Sequence, residues 1–401
     1  MKAGEKTMLP LEGYRVIDLT HVLAGPCATH HLRCLGAEVI KVERPGSGDA
    51  MRALALQPEL DGLPPGFRAL NAGKKSVAVD LADPAGRRAI LDLARSGDIF
   101  VENFRPGVAK RLGLGPEDIR KVRPDVIYCS ISGWGQTGEN ASRGAYDHVV
   151  QAATGMMMMQ GGGEDLEPMK VGFPVIDIAT GISAAEAILA AVVRRLRGDN
   201  GPITIDVSMI DSALSLMSGP AAQVLASGLP PGRVGNRGFV GSPGAETFAT
   251  SDGHISVAAN TMGQFEALCR LLGRPELAGP PYIPAGLASA AFLANAATDE
   301  LRGELRAAFA VASAAELETR LNAANVPAAR VRDLQEFLRD LYPRTPGIPV
   351  DGEPLAFGPA FRQEGAERPS LPPAPRLGQD ADMLTASARS QARSPGDISR
   401  T

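Results

Sequence analysis

The chain has 401 residues, enough for a large core and more than one domain. Hydrophobic residues make up 44% and charged residues 21%, and the net charge is −4, so nothing points to a nucleic-acid partner. No apolar run read from the sequence reaches the ~18 residues of a membrane span, Met1 to Val16 lacks a signal-peptide core, and Cys27, Cys34, Cys129 and Cys269 are too scattered for a disulfide framework, which together predict a cytoplasmic protein.

Tyr14 to Leu19, YRVIDL, reads as a short buried strand, His21 to Pro26 as a turn, Cys27 to Leu35 as a helix ending at Gly36, and Glu38 to Val42 as the next strand. This is a βαβ unit, whose parallel connection is right-handed. A polar, Pro-rich loop follows from Glu43 to Gly66. Ser76 to Asp80 is a strand, Pro84 to Ala94 a helix, Asp98 to Val101 a strand, Asn103 to Val108 a turn and Val126 to Ser132 a further strand. Repeated strand–helix alternation predicts an open, doubly wound α/β sheet. The first turn carries Ala24-Gly25-Pro26 in place of GxGxxG, which argues against a nicotinamide-dinucleotide site.

Val171 to Leu189, VGFPVIDIATGISAAEAIL, puts one carboxylate, Asp177, at the start of a helix-forming run. Gly172 and Pro174 precede it. Small residues follow it, and Ile178, Ile182 and Ile188 form a sparse apolar stripe. No Lys or Arg lies between Val171 and Val193, so Asp177 is expected to be partly desolvated. Local features leave two readings open: a helix N-cap or a chemically active group. The helix runs to about Arg197. Ile203 to Val207 is a strand and Met209 to Ser218 a helix. Gly228 to Gly244 holds six Gly and three Pro in seventeen residues and reads as a crossing linker. A second unit begins near Glu246, with a strand at His254 to Ala258 and helices at Met262 to Leu272, Asp299 to Ala308 and Ala314 to Ala324. Arg330 to Leu341 leads out of it, Pro and Gly dominate from Tyr342, and a disordered tail is expected from about Ser390.

Taken together, the motifs resemble the family III CoA transferases, of the formyl-CoA and carnitine-CoA transferase (CaiB/BaiF) type. Leu11 to Arg52 resembles the family's opening. LNAGKKSVAVDL (Leu70 to Leu81), VENFRPGVAKRLGL (Val101 to Leu114), SISGWGQTG (Ser130 to Gly138), AYDHVVQAATG (Ala145 to Gly155), the Asp177 segment, RGDNGPITIDVSMIDS (Arg197 to Ser212) and PRLGQDADML (Pro375 to Leu384) follow in register. The resemblance covers nearly the whole chain, although the second unit matches only in pattern. It implies a Rossmann-like large domain built from residues 1–227 and the returning segment 331–401, with a small α/β domain inserted at 228–330. It also implies an interlocked-ring homodimer. The family's catalytic carboxylate falls on Asp177, and its CoA-contacting positions fall on His21, Val22, Leu23, Arg44, Asn103, Phe104 and Tyr146. A glycine loop is implied near Gly238 to Gly244, where this chain reads GFVGSPG rather than four consecutive glycines.

The residues agree with such chemistry. Moving CoA between two carboxylic acids conserves the thioester, so neither ATP, a metal nor a tightly bound cofactor is required; acyl-CoA and a small carboxylic acid are the substrates. The obstacle is kinetic, and a carboxylate held beside the thioester removes a bimolecular entropy cost of up to ~7–11 kcal/mol. Arg44, Lys75, Arg105 and Lys110, with Lys74, flank strand ends and offer cations for CoA phosphates, while Asn103 and Phe104 offer an amide and a ring. Cys27/His31 and His30/Cys34 stand at i,i+4, but on adjacent faces, so no metal is expected. Met156 to Met159 reads as core or as a pliant acyl pocket.

Two rival readings stand beside this one. A 2-methylacyl-CoA racemase needs two bases on opposite faces of its substrate. The racemases that the chain resembles use a GHD motif, and here Ala145-Tyr146-Asp147 puts Tyr146, ordinary pKa about 10, at the His position, with His148 two residues on. A non-catalytic acyl-CoA-binding protein is the other.

Overall fold

Short strands whose apolar residues run nearly without a break give a sheet buried on both faces. The computed structural model describes residues 8–54, 63–162, 167–238, 241–284, 286, 292–294, 296–340, 348–350, 353–356, 358–361 and 370–386. Strands β1 (Arg15–Asp18), β2 (Glu38–Glu43), β3 (Lys75–Ala78), β4 (Ile99–Glu102), β5 (Ile127–Ser132) and β6 (Ile203–Ser208) pair in parallel in the order β3-β2-β1-β4-β5-β6. Val16, Val39, Ile99, Val101, Ile127 and Cys129 face one core, which they share with the helices Ala24–Cys34 and Val175–Leu196. Ile17, Ile40, Val77, Phe100 and Tyr128 face the other, under the helix Pro84–Ala94. This is the doubly wound α/β fold expected from the alternation.

The connections are α1 (Ala24–Cys34), α2 (Pro65–Asn71), α3 (Pro84–Ala94), α4 (Val108–Arg111), α5 (Pro116–Val122), α6 (Asp147–Ala153), α7 (Met156–Met159), α8 (Val175–Leu196), α9 (Met209–Leu216) and α10 (Ser218–Ser227). Helix α1 starts three residues before its expected start, because Pro26 is tolerated in a first turn. The helix expected over Met209 to Ser218 ends at Leu216, and after Met217 (φ −103°, ψ 20°) a second, unexpected helix runs from Ser218 to Ser227. Of the four-methionine run only Met156 is buried. The stripe Ile178–Ile182–Ile188 is also corrected. Ile182 is 46% exposed, and α8 instead buries Ile176, Thr180, Gly181, Ala184, Ala185, Ile188, Ala191 and Val192. By length and composition α8, with mean hydropathy 1.8, is apolar enough to cross a membrane, which corrects the expectation that no such run exists. Its hydropathy comes from the Ala and Ile packed on α1 and the sheet.

The chain forms two compact units. The first comprises residues 1–156, 170–229 and 346–401, and the second 157–169 and 230–345. In the first, the returning segment edges β3: the Gly378 N–H donates to Ser76 Oγ at 3.0 Å, and the Ser76 N–H donates to Asp380 Oδ2 at 2.9 Å. In the second, β7 (Gly244–Thr250), β8 (Gly253–Ala259) and β9 (Ala328–Arg330) form an antiparallel sheet. It packs on α11 (Met262–Leu271), α12 (Asp299–Ala310) and α13 (Ala314–Ala323) around Phe248, Phe265 and Phe309. A helix at Leu334–Asp340 lies in the exit segment. Phe239 and Val240 of the linker, and the tail from Ser390, lie outside the described residues.

Candidate active site

The strand order reverses between β1 and β4, and the crevice at such a switch point, beyond the carboxyl ends of the strands, is where open α/β sheets bind ligands. Two turns meet there. Asn103, just after β4, accepts from the His21 N–H at 3.0 Å and donates from Nδ2 to the His21 carbonyl at 2.8 Å. Val22 follows with φ +70°, a conformation that a β-branched residue adopts only when its surroundings over-determine it. Asp49 supplies the constraint: its Oδ1 accepts from the Val22 N–H at 3.1 Å. The His21 and Phe104 rings stand 5.7 Å apart. Burial lowers the His21 pKa, which favours a neutral imidazole. Gly25 has no room for a side chain, since a Cβ would sit 2.2 Å from that of Thr20, so α1 begins close against the turn.

Beneath this turn lie two buried ion pairs. Lys41 Nζ is 2.8 Å from Asp49 Oδ2 and donates to the Thr20 carbonyl at 2.7 Å. Lys74 Nζ is 3.2 Å from Asp18 Oδ2 and donates to Thr29 Oγ1 and the Pro26 carbonyl. Burial pulls Lys74 down to about 8; at Asp18 burial pushes upward, but Lys74, Lys41 and the Thr20 and Thr29 hydroxyls together hold its carboxyl below the usual range. These charges are too deep for a ligand. They tie the backbone of residues 18–29 to its neighbours.

Asp177 lies in the first turn of α8, whose N-cap is Pro174. The N-cap reading of Asp177 is therefore corrected: Asp147 plays that part from α6, its Oδ2 accepting from the Ile176 N–H at 2.7 Å and the Asp177 N–H at 3.2 Å. One turn on, Gly181 brings α8 against α1; a Cβ there would stand 2.7 Å from the Ala24 carbonyl and 2.7 Å from Cys27 Cβ. Burial, with the Asp147 charge second, pushes the Asp177 carboxyl up to about 6. Burial, partly offset by Lys74, drives the Cys27 thiol to about 11, and the Asp177 charge adds to this.

Of the residues singled out by the sequence, His21, Val22, Leu23, Asn103 and Phe104 come together at the switch point. Arg44, after β2, and Arg105 and Lys110, after β4, are exposed and have no ion pair among the described residues. Arg105 Nη2 lies 3.8 Å from where a Gly144 Cβ would stand, so it reaches the loop before Tyr146. Tyr146 is 69% exposed, and its ring stacks on that of His148 with centroids 6.4 Å apart. Lys75 is not brought to this group. It opens β3, at the opposite, amino edge of the parallel sheet, and pairs with Glu38 at 2.5 Å. Lys74, offered as a phosphate ligand, is corrected to a buried partner of Asp18. His30 and Cys34 are buried, with Nε2 and Sγ 3.5 Å apart.

Sequence reasoning missed Asp18, Lys41, Asp49 and Asp147. A lysine inside the apolar strand EVIKVE was a legible signal, because a buried ammonium requires an acid partner. Nothing in the sequence paired Asp147 with a helix start some thirty residues away.

The family model for CoA-transferase family III matches residues 11–381. Succinyl-CoA:glutarate CoA-transferase of Mus musculus is 36% identical over 383 residues, 93% of this chain and 85% of that protein. Acetyl-CoA:oxalate CoA-transferase of Acetobacter aceti is 35% identical over 375 residues, 90% and 92% of the two chains. The crystal structure of a CaiB/BaiF family protein from Brucella suis superposes with a TM-score of 0.82 at 30% identity, covering 95% of this chain and 99% of that one. With a match across nearly its whole length, the chain belongs to the family III CoA-transferases, and it is a transferase enzyme.

Proposed function

We propose that the protein moves CoA from an acyl-CoA thioester to a carboxylic acid through a covalent intermediate on Asp177. The observation that carries this reading is one carboxylate in the first turn of α8, half-buried and raised to about 6, packed one turn from the start of α1. A raised pKa makes a carboxylate a better nucleophile while leaving it ionised at neutral pH. Asp177 attacks the thioester carbonyl; the C–S bond breaks and CoA leaves as the thiolate, giving an aspartyl–acyl anhydride. The thiolate attacks the aspartyl carbonyl, releasing the donor acid and leaving an aspartyl thioester. The acceptor carboxylate then displaces the thiolate to form a second anhydride. Thiolate attack on the acceptor's acyl carbon frees the new acyl-CoA and restores the Asp177 carboxylate.

His21, Val22, Leu23, Asn103 and Phe104 are assigned to the pantetheine and adenine side of CoA, with Arg44, Arg105, Lys110 and Tyr146 at its rim. Lys75 is left out, since its ammonium is engaged at the far edge of the sheet. Small dicarboxylates are the acceptors to try first, because relatives are named for glutarate and oxalate. Incubation with an acyl-CoA and hydroxylamine is expected to leave a hydroxamate on the Asp177 peptide, seen as a mass shift. Transfer surviving in Asp177→Ala would end this reading.

The working form is proposed to be an interlocked homodimer. What supports this is the connectivity: both chain ends belong to the first unit, while residues 157–169 and 230–345 form the second. On the first unit Ile182, Leu214, Leu216 and Leu225 of α8–α10 are 46%, 45%, 52% and 88% exposed, an apolar face suited to a partner copy. Mixed tagged and untagged protein should exchange subunits over hours or longer; exchange within minutes rejects the interlocking.

A further inference from the structure

The first turn of an α-helix is an awkward place for a nucleophilic carboxylate. Its free N–H groups and positive dipole end stabilise a negative charge, which lowers basicity and nucleophilicity together. Asp177 stands there, yet among the described residues it receives no hydrogen bond from α8. The N–H groups of Ile176 and Asp177 both point to Asp147 Oδ2 instead. Asp147 is held by its own neighbour: Gln151, fully buried one turn along α6, donates from Nε2 to Asp147 Oδ1 at 2.5 Å, and its Oε1 accepts from the Val171 N–H at 2.8 Å. The segment before α8 is thus pinned to α6 at two points.

We propose that Asp147 is a positioning residue for CoA transfer. Its carboxylate takes up the N–H groups at the start of α8, so that Asp177 is left without a hydrogen bond from its own helix and beside a like charge. This rests on the reading of Asp177 as the nucleophile. The arrangement does two things. It fixes the register of the α8 start against α6, and so the position of Asp177. It also makes the ionised ground state of Asp177 costly. Acylation removes the Asp177 charge, so the repulsion from Asp147 is relieved as the C–O bond to the acyl carbon forms and the thiolate leaves. The titratable groups that act on Asp177 are Asp147 on α6 and the Cys27 thiol on α1, which stays protonated; among the described residues no charged group on β5, β6 or α9 acts on it.

The test is the pH dependence of single-turnover acetate release from the full-length protein with acetyl-CoA, in wild type, Asp147→Asn and Asp147→Ala. Asparagine keeps an acceptor oxygen for the α8 N–H groups and removes the charge. The wild-type acid limb is expected near the Asp177 value of about 6. In both variants it moves down by about one pH unit, and the Asn plateau falls about tenfold. Alanine, which also loses the clamp, falls further, about 10²-fold, with CoA affinity unchanged within about twofold. A purely structural role would lower the plateau without moving the limb. Acid limbs that coincide with wild type overturn the proposal; if the alanine variant does not fold, the asparagine variant decides alone. Asp177→Ala, run alongside, separates the two claims. Release that persists there rejects the nucleophile and this proposal with it, whereas an inactive Asp177→Ala with unmoved limbs rejects only the role of Asp147.

Discussion

Two parts of the large sheet carry similar residues to opposite ends. At the amino edge, Arg15, Glu38 and Lys75 form ion pairs at 2.5 Å with about a third of each side chain in solvent. Under the turn that follows β1, Lys41–Asp49 and Lys74–Asp18 are shut away from solvent. Exposed pairs exchange one hydrated partner for another and contribute little. Buried pairs have lost their water, so each partner depends on the other and on every backbone group it meets. Here those groups belong to the turn after β1, and the cost of misplacing a charge becomes a constraint on where Thr20 and Val22 sit. Charge in a sequence says little about function until its depth is known.

The sharpest way to break this contrast is Lys74→Met. It strands the Asp18 carboxylate in the core and is expected to cost about 3–5 kcal/mol in chemical denaturation. Adding Asp18→Asn should recover much of that, and failure to do so would mean the pair is not the source. Asp49→Ala comes next. Lys41 loses its counter-charge and the Val22 N–H its acceptor, for about 2–3 kcal/mol. Because the turn relaxes, KM for acyl-CoA should rise several-fold more than kcat falls.

Asp177→Asn sharpens the comparison from the other side, since Asp177 is a half-buried carboxylate with no cation acting on it among the described residues. Its folded pKa of about 6 lies above the ordinary 3.8, so the folded state binds the proton more tightly than the unfolded chain. Stability from this group is fully present below about pH 4 and is lost as pH rises through 6. The amide variant is therefore expected to be more stable than wild type by on the order of 2 kcal/mol at about pH 8, with the gain vanishing near pH 4. Thermal melts across that range check both the sign and the window. The smallest effect is reserved for Lys75→Ala at the exposed edge, under about 0.5 kcal/mol, with acyl-CoA KM unchanged. A tenfold rise in KM would restore Lys75 to the CoA site.

How far the sequence could be read follows the same physics. Strand and helix periodicity exposed the doubly wound sheet, because burial on both faces demands long apolar stretches whatever the neighbours are. Asp177 stood out as an acid in a run without cations. The helix at Ser218–Ser227 was missed because its end, Gly228, was read together with the Gly/Pro-rich linker that follows. Lys74 and Lys75 could not be told apart: adjacent residues at a strand start point to opposite sides of the sheet, and one meets Asp18 while the other meets Glu38.

What the sequence determined by itself was local and repetitive: which segments are strands, which are helices, and the ordered motifs that mark the family. These depend on residues close along the chain. What only the tertiary structure decided was pairing across distance. Lys41 finds Asp49 through a turn, Lys74 finds Asp18 across three elements, and Asp147 reaches the start of a helix whose first turn holds Asp177. A buried charge or an unfilled helix end requires a partner, but the requirement names only the type of group. Which of the 45 acidic residues supplies it is settled by the path of the chain in space.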